Sequence, residues 1–438
     1  MADEPFAFRS RYIPCMLKNG DADASSGSSA SMAIGVLALC FLFNFIGRGV
    51  GDTYMVFLLP LGAEFGWLRT EMTSVYSTLM ITSGLAAPLG GMVFDRWGPR
   101  VLYAGGLGLL GIGYFLAGRL SELWQFYLCI GILGGLGAAA VGMVPAAALI
   151  SRWFRHRLTT ALGLAYAGFG CGSLLIVPFA QTLIDGGGWR HAYEVIGTAL
   201  LVLLPLSLAL PWRAMSAGLP ATKPAAAYPL GVAPAGAASP VRAALRERPF
   251  WLLVQVMFFT ALGMYLVIVQ SVAYLVDVGF TPLQAAGAFG VAGMLSVVGM
   301  SGYGWMADRF GHRRAATLSF AGTAIGIALL FAMSYRSTHW LLVAYVLLFG
   351  ICQGARGPLI AGLSARLFAG PGQSTIYGVI YACMSVGSGI GALLSGVLHD
   401  LTGGYRAAFL LALVCVLLAA LPFWTSKALL AGGPRRSP

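Results

Sequence analysis

Apolar residues in this chain neither alternate nor recur once per helical turn; they run on almost unbroken for twenty residues or more between short polar interruptions. Twelve such runs can be read: 33–62, 70–93, 101–118, 124–150, 160–183, 192–211, 250–273, 283–306, 315–334, 340–363, 376–398 and 405–425. A helix needs about 20 residues to cross a hydrocarbon core about 30 Å thick. The runs therefore predict membrane-spanning helices, numbered here as spans 1 to 12. One long polar stretch, 213–248, divides them into six and six. It is rich in Ala, Pro and Gly and reads as a flexible or polyproline-like linker. Near its end Ser239-Pro240 supplies a cap and a first-turn proline, which predicts a short amphipathic surface helix. The organisation is then a polar tail (1–31), a first bundle (32–212), the linker (213–248), a second bundle (249–425) and a second tail (426–438).

Composition agrees. The chain of 438 residues is 58% hydrophobic and only 10% charged, too little charge to cover a soluble protein of this size. The net charge of +12 raises the question of nucleic acid, but the placement of that charge answers it. With the N-terminus on the cytoplasmic side, 20 of the 27 Lys and Arg fall on that side and five (Arg69, Arg119, Arg190, Arg336, Arg406) on the other. This asymmetry orients membrane helices, so the basic character reads as topogenic and nucleic-acid binding is not expected. Span 1 is too long for a signal-peptide core and no A-x-A site follows it, so it reads as an uncleaved helix. The expected location is the plasma or inner membrane, multi-pass, with both termini cytoplasmic. Seven isolated cysteines form no CxxC or Cys/His cluster, and neither a metal nor another cofactor is expected.

Two arginines, Arg48 and Arg356, remain inside spans. Arg48 lies in Gly47-Arg48-Gly49-Val50-Gly51-Asp52, about 25 Å along the helix from either polar end of span 1. Each charge at a bilayer centre costs roughly 2.5–3.5 kcal/mol. Arg48 and Asp52 share one helix face. They are either a self-neutralising pair, or a cation facing an anionic solute with Asp52 as partner or proton site. Asp52 is the one acid well inside a span. Arg356, in Gly354-Ala355-Arg356-Gly357-Pro358, lies about 15 Å from the span-10 edge marked by Arg366. With no acid in its own span or in spans 7, 8, 9 and 11, it needs Asp52, carbonyls freed near Pro358 or a bound anion; alternatively it snorkels to the cytoplasmic side. Asn44, Tyr54, Tyr76, Tyr166, Tyr265, Gln270, Gln353 and Tyr381 are mid-depth polar groups that pack or bind. The Gly168-Phe169-Gly170-Cys171-Gly172 string lacks the strand and lysine of a nucleotide loop and reads as a helix-packing face.

The halves repeat. Gly91-x-x-x-Asp95-Arg96-x-Gly98-x-Arg100 follows span 2, and Gly304-x-x-x-Asp308-Arg309-x-Gly311-x-Arg313 follows span 8 at an offset of 213 residues. Trp189-Arg190-His191-Ala192-Tyr193 and Tyr405-Arg406-Ala407-Ala408-Phe409 match at an offset of 216. The doubled Asp-Arg-x-Gly-x-Arg loop resembles that of the major facilitator superfamily, over residues 32 to 425. Phe65-Gly66-Trp67-x-Arg69-x-Glu71, Trp153-Phe154-Arg155-x-Arg157 and Gly188-Trp189-Arg190-x-Ala192-Tyr193 resemble its monocarboxylate porter and oxalate/formate antiporter branch. The resemblance implies an all-α fold of two pseudo-symmetric six-helix bundles, with spans 1, 4, 7 and 10 lining a cavity. It implies gating by Asp95, Arg96, Arg100, Asp308, Arg309 and Arg313. The expectation is a secondary transporter, and not an enzyme, moving a small organic anion by alternating access with proton coupling or exchange, as a monomer. Arg48 and Arg356 would clamp the anion from opposite halves, Tyr265, Gln270 and Gln353 would add hydrogen bonds, and Asp52 would carry the proton. The branch carries a substrate-binding cation on this helix, nearer the position of Asp52 than of Arg48. Two alternatives stand beside this: a drug or cation exporter, against which the two buried arginines and the isolated Pro178 argue, and a membrane sensor or embedded enzyme, for which no catalytic constellation exists.

Overall fold

A computed structural model describes residues 26–154, 158–218, 244–354, 356–368 and 373–426. Every regular element among them is a helix. Ten helices are long and apolar enough to cross a membrane. One of them, Ala161–Ala209, is spans 5 and 6 in sequence, because Gly188 inside it has φ 80° and ψ 168°. Span 10 is delivered in two pieces, His339–Gln353 and Arg356–Leu367. Twelve spans result among the described residues, as the apolar runs predict.

The reversals repeat as the motifs do. Six of the seven positive-φ glycines among the described residues fall in pairs, Gly66 with Gly279, Gly98 with Gly311 and Gly188 with Gly403. A residue with a Cβ is strained in this region, so these loops need glycine. The glycine inside each Asp-Arg-x-Gly-x-Arg loop is thus the residue that turns the chain from span 2 into 3 and from span 8 into 9. Two boundaries differ from expectation. The first helix starts at Ser26 rather than near residue 33. The linker opens with a short helix, Trp212–Ala217, held to the end of span 4 by Trp153 Nε1 donating to Met215 O (2.7 Å) and Arg152 donating to Ser216 O (3.1 Å). The helix expected at Ser239-Pro240 lies outside the described residues.

Span 1 packs on span 5, span 7 on span 11, and the halves meet along spans 2 and 11 and spans 5 and 8. The Gly168–Gly172 string makes two of these crossings possible. A Cβ on Gly168 or Gly172 would collide with Phe41 O or Phe45 O of span 1, and one on Gly170 would stand 2.9 Å from Gly293 O of span 8. Gly49 is the complementary position on span 1, where a Cβ would meet Gly172 O at 2.8 Å. Without a hydrophobic driving force between helices in lipid, such backbone approach is what holds them together. Several spans are broken at mid-depth. Span 1 stops at Asp52 and restarts at Tyr54. Span 4 carries a π-helical stretch, Tyr127–Gly134, and breaks at Gly142. Span 10 breaks at Gly354. Interrupted helices beside an internal space are how membrane folds expose polar backbone without exposing it to lipid.

Substituting Gly172 by Ala overpacks the span 1–span 5 crossing and should cost about 1–3 kcal/mol. Gly163, helical and with nothing within 4 Å of its added Cβ, should accept Ala with a gain of up to about 1 kcal/mol. Thermal unfolding of the purified variants should lower the midpoint for Gly172→Ala and leave it equal or higher for Gly163→Ala; the reverse order would contradict this packing.

Candidate solute-binding site

Thr53 breaks the first span one residue beyond Asp52. Its hydroxyl and the Tyr114 hydroxyl both donate to Val50 O, each at 2.7 Å. Thr53 N also donates to Val50 O, at 3.2 Å, so three donors converge on one carbonyl where the span breaks. The break fixes the last helical turn, and on that turn Arg48 Nε donates to Asp52 Oδ2 at 3.0 Å. Ser173 of span 5 donates to the same oxygen at 2.5 Å. The Gly49–Gly172 approach is what brings Ser173 there. The two charges differ in access: the Arg48 side chain is 35% exposed and that of Asp52 is 3% exposed. Arg48 also reaches across the halves, where its Nη1 donates to Tyr265 Oη of span 7 at 3.4 Å. The Tyr265 ring lies 6.3 Å from that of Tyr76, centroid to centroid. The Tyr76 hydroxyl is fully buried and has no hydrogen-bond partner.

The structure brings together Arg48, Asp52 and Tyr265, and leaves the other predicted binding residues elsewhere. Arg356 does not approach Arg48. Its Nη2 donates to Thr323 Oγ1 and, at 3.4 Å, to Ser319 O, while its guanidinium carbon stands 4.6 Å from the centre of the Phe320 ring. All three belong to span 9. A hydroxyl, a carbonyl and a π face substitute for the missing acid, and they do so inside the second half instead of in the space between halves. Nor does Arg356 snorkel: it is 4% exposed. Gln353 donates to Ala292 O of span 8 at 3.0 Å and so also ties its own half together. Gln270 is buried with neither amide atom paired. Arg96, Arg100, Arg309 and Arg313 are exposed at the face that carries the linker, three of them against aromatic rings of their own half: Arg96 on Trp97, Arg309 on Trp305 and Arg313 on Trp424. The side chains of Asp95 and Asp308 lie outside the described residues.

The opposite face holds a cluster that sequence reading missed. Asp400, at the end of span 11, accepts from Arg69 N (3.1 Å), Thr70 N (2.7 Å) and Thr70 Oγ1 (2.6 Å) at the start of span 2. A carboxylate from one half thus caps a helix N-terminus of the other, a favourable place for negative charge. Arg69 also faces Asp277 of span 7 at 3.9 Å, and Asp277 accepts from the Tyr405 hydroxyl. These contacts close the halves together at the face away from the linker. The signal for them was available: seven of the fifteen acids sit at that face, whereas the charge tally that orients the helices counts only Lys and Arg.

Comparison with known proteins agrees with this architecture. The family model described as Major Facilitator Superfamily matches residues 37–303 and 302–435. Monocarboxylate transporter 13 of Rattus norvegicus is 31% identical over 382 residues, covering 86% of this chain and 85% of its own. Monocarboxylate transporter 11 of Homo sapiens is 29% identical, covering 86% and 79%. Among solved structures, a bacterial homolog of the human lysosomal transporter Spinster, in an inward-facing and unoccupied conformation, aligns with a TM-score of 0.70 at 15% identity, over 91% of this chain and 98% of its own. A mutant of the nucleoside transporter NupG aligns with a TM-score of 0.67 at 14% identity, over 89% and 99%. With twelve spans in two repeated halves and relatives that are membrane transporters rather than enzymes, the chain belongs to the Major Facilitator Superfamily.

Proposed function

We propose that this protein moves a small organic monoanion across the membrane together with a proton, by alternating access of a site between its halves. The observation that carries this reading is the asymmetry of the Arg48–Asp52 pair. The cation is open to the space between the halves and touches both of them, while its counter-ion is buried behind it. Unlike Arg356, which rests on a hydroxyl, a carbonyl and a ring, Arg48 takes a negative partner. Either Asp52 or a solute carboxylate fills that role. When the solute binds Arg48, a second buried negative charge is unfavourable and Asp52 takes up a proton, with Ser173 still bonded to it. When the solute leaves, Asp52 releases the proton and recovers Arg48. Solute and proton therefore bind and leave together. Tyr76, whose buried hydroxyl is unpartnered and whose ring lies against Tyr265, is the further polar contact of this reading. Arg356 and Gln353, engaged inside the second half, are left out of it.

Alternating access needs a gate at each face. The Asp400 cap on span 2 and the Arg69–Asp277 pair are the gate of the face away from the linker, closed in this conformation. The arginines of the two Asp-Arg-x-Gly-x-Arg loops are the gate of the linker face, which the charge asymmetry puts in the cytoplasm. The names of the monocarboxylate transporters among the relatives support the class of solute.

Two measurements test this. Binding of a monocarboxylate to purified protein should strengthen as pH falls, so long as the solute stays ionised. In Asp52→Asn the dependence should flatten, because Arg48 is then permanently free of its carboxylate; an unchanged pH slope would remove Asp52 from coupling. Asp400→Ala should open the gated face. A cysteine placed at Ser271, buried on span 7 toward that face, should react several-fold faster with a membrane-impermeant thiol reagent in the Asp400→Ala background, and equal rates would show that the cap does not hold the gate.

A further inference from the structure

The surroundings of Arg48 carry more information than its charge. It is the one mid-depth cation among the described residues with access to the space between the halves, since Arg356 is buried in span 9 contacts. One accessible cation accommodates one carboxylate. A dicarboxylate would leave its second charge without a partner. An amino acid would bring an ammonium group, and the acid that could receive it, Asp52, is buried and already bonded to Arg48 and Ser173. Most of the remaining wall is aromatic. Tyr265 bonds Arg48 directly and lies beside Tyr76. Tyr381 of span 11 is a half-buried ring of the second half that faces span 4 of the first. Its hydroxyl comes within 4.0 Å of Met143 Sδ, and the Tyr166 hydroxyl donates to Met143 O at 3.3 Å. Tyr166 stacks on Phe169 with ring centroids 5.8 Å apart. Rings from both halves thus stand beside the arginine and beside the break in span 4. Tyr265, Tyr381, Tyr166 and Phe169 are half-buried, not packed away. The buried, unpartnered hydroxyl of Tyr76 and the unpartnered amide of Gln270 offer hydrogen bonds that no protein group takes up.

Resting on the reading of Arg48 as the anion site, we infer that the preferred solute is an aromatic monocarboxylate, its carboxylate on Arg48 and its ring between tyrosines of the two halves. A short aliphatic acid would satisfy the arginine and leave the rings untouched. An aromatic acid fills that wall with edge-to-face or offset contacts, whose favourable geometry adds to simple area burial. Because the rings come from both halves, the same contacts draw the halves together around the solute.

The test uses the full-length protein in lipid nanodiscs and isothermal titration calorimetry with phenylacetate, cyclohexylacetate and propionate, which separate aromatic character from apolar area and from charge alone. Phenylacetate should bind about tenfold more tightly than cyclohexylacetate. Tyr381→Leu should erase that preference and Tyr381→Phe should keep it. Arg48→Gln should weaken all three acids. Equal affinity of the wild type for phenylacetate and cyclohexylacetate, with binding still lost in Arg48→Gln, would overturn the aromatic preference and leave the anion site standing. No binding of any acid to the wild type, or undiminished binding in Arg48→Gln, would overturn both. Should Tyr381→Leu fail to fold, the wild-type series and Tyr381→Phe decide the matter.

Discussion

A carboxylate and a guanidinium held at the middle of a membrane have no water to fall back on, and much of this structure can be traced to satisfying them. Asp52 receives Arg48 Nε and Ser173 Oγ on one oxygen. Those two bonds demand that span 5 come within backbone distance of span 1, and the glycines at 49, 168 and 172 are what permit it. The same turn of helix must end abruptly so that its carbonyl at Val50 can be taken by Thr53 and Tyr114. Charge placement, helix crossing and helix break are in this sense one constraint. A larger residue at position 172 would push span 5 away and leave Asp52 short of one donor, so the packing defect would also be an electrostatic one.

Arg356 shows the other way to keep a charge in a membrane. It has no acid and no open space. A threonine hydroxyl, a backbone carbonyl and the face of Phe320 stand in for them, and Nε and Nη1 remain without partners. Such a residue ties span 10 to span 9 at the break after Gly354, and so stiffens the second half as a unit. The first half is packed in part through aromatic stacking, with Phe57 on Tyr193 and Phe43 on Tyr103 at ring separations of 3.8 and 4.2 Å. Two halves meeting along glycine-lined crossings are an arrangement that the proposed rocking motion would need.

The fold is legible in the sequence because the bilayer imposes it. Apolar runs of membrane length and the asymmetry of Lys and Arg are set by the solvent, and they predict the spans before any side chain is placed. The repeat is legible for a similar reason, since a loop that must reverse needs a left-handed glycine and keeps it in both copies. The site is legible only where it is local in sequence. Arg48 and Asp52, four residues apart, can be paired by helix geometry alone. For Arg356 the sequence supplies depth but not azimuth around the helix, and a modest rotation separates the space between halves from span 9, where the residue in fact lies. Ser173 and Asp400 escape a reading of the sequence because each acts on a residue more than a hundred positions away.

The two ends of the molecule are held by different chemistry, and this bears on how the site and the gate communicate. At the face away from the linker, Asp400 binds backbone and hydroxyl donors at the start of span 2, the helix that carries Tyr76 nearly two turns further in. Tyr76 lies against Tyr265, and Tyr265 holds Arg48. Span 7 closes the loop, since it carries Tyr265 at mid-depth and Asp277, which faces Arg69, at its end. In the proposed cycle, a change in what occupies Arg48 would therefore act on the same two helices, spans 2 and 7, whose ends meet Asp400 and carry Asp277. Rigid helices transmit a displacement along their length without any chain of rotamer changes between. In the proposed cycle, occupancy of the arginine and closure of that face would then be one mechanical event read at two depths.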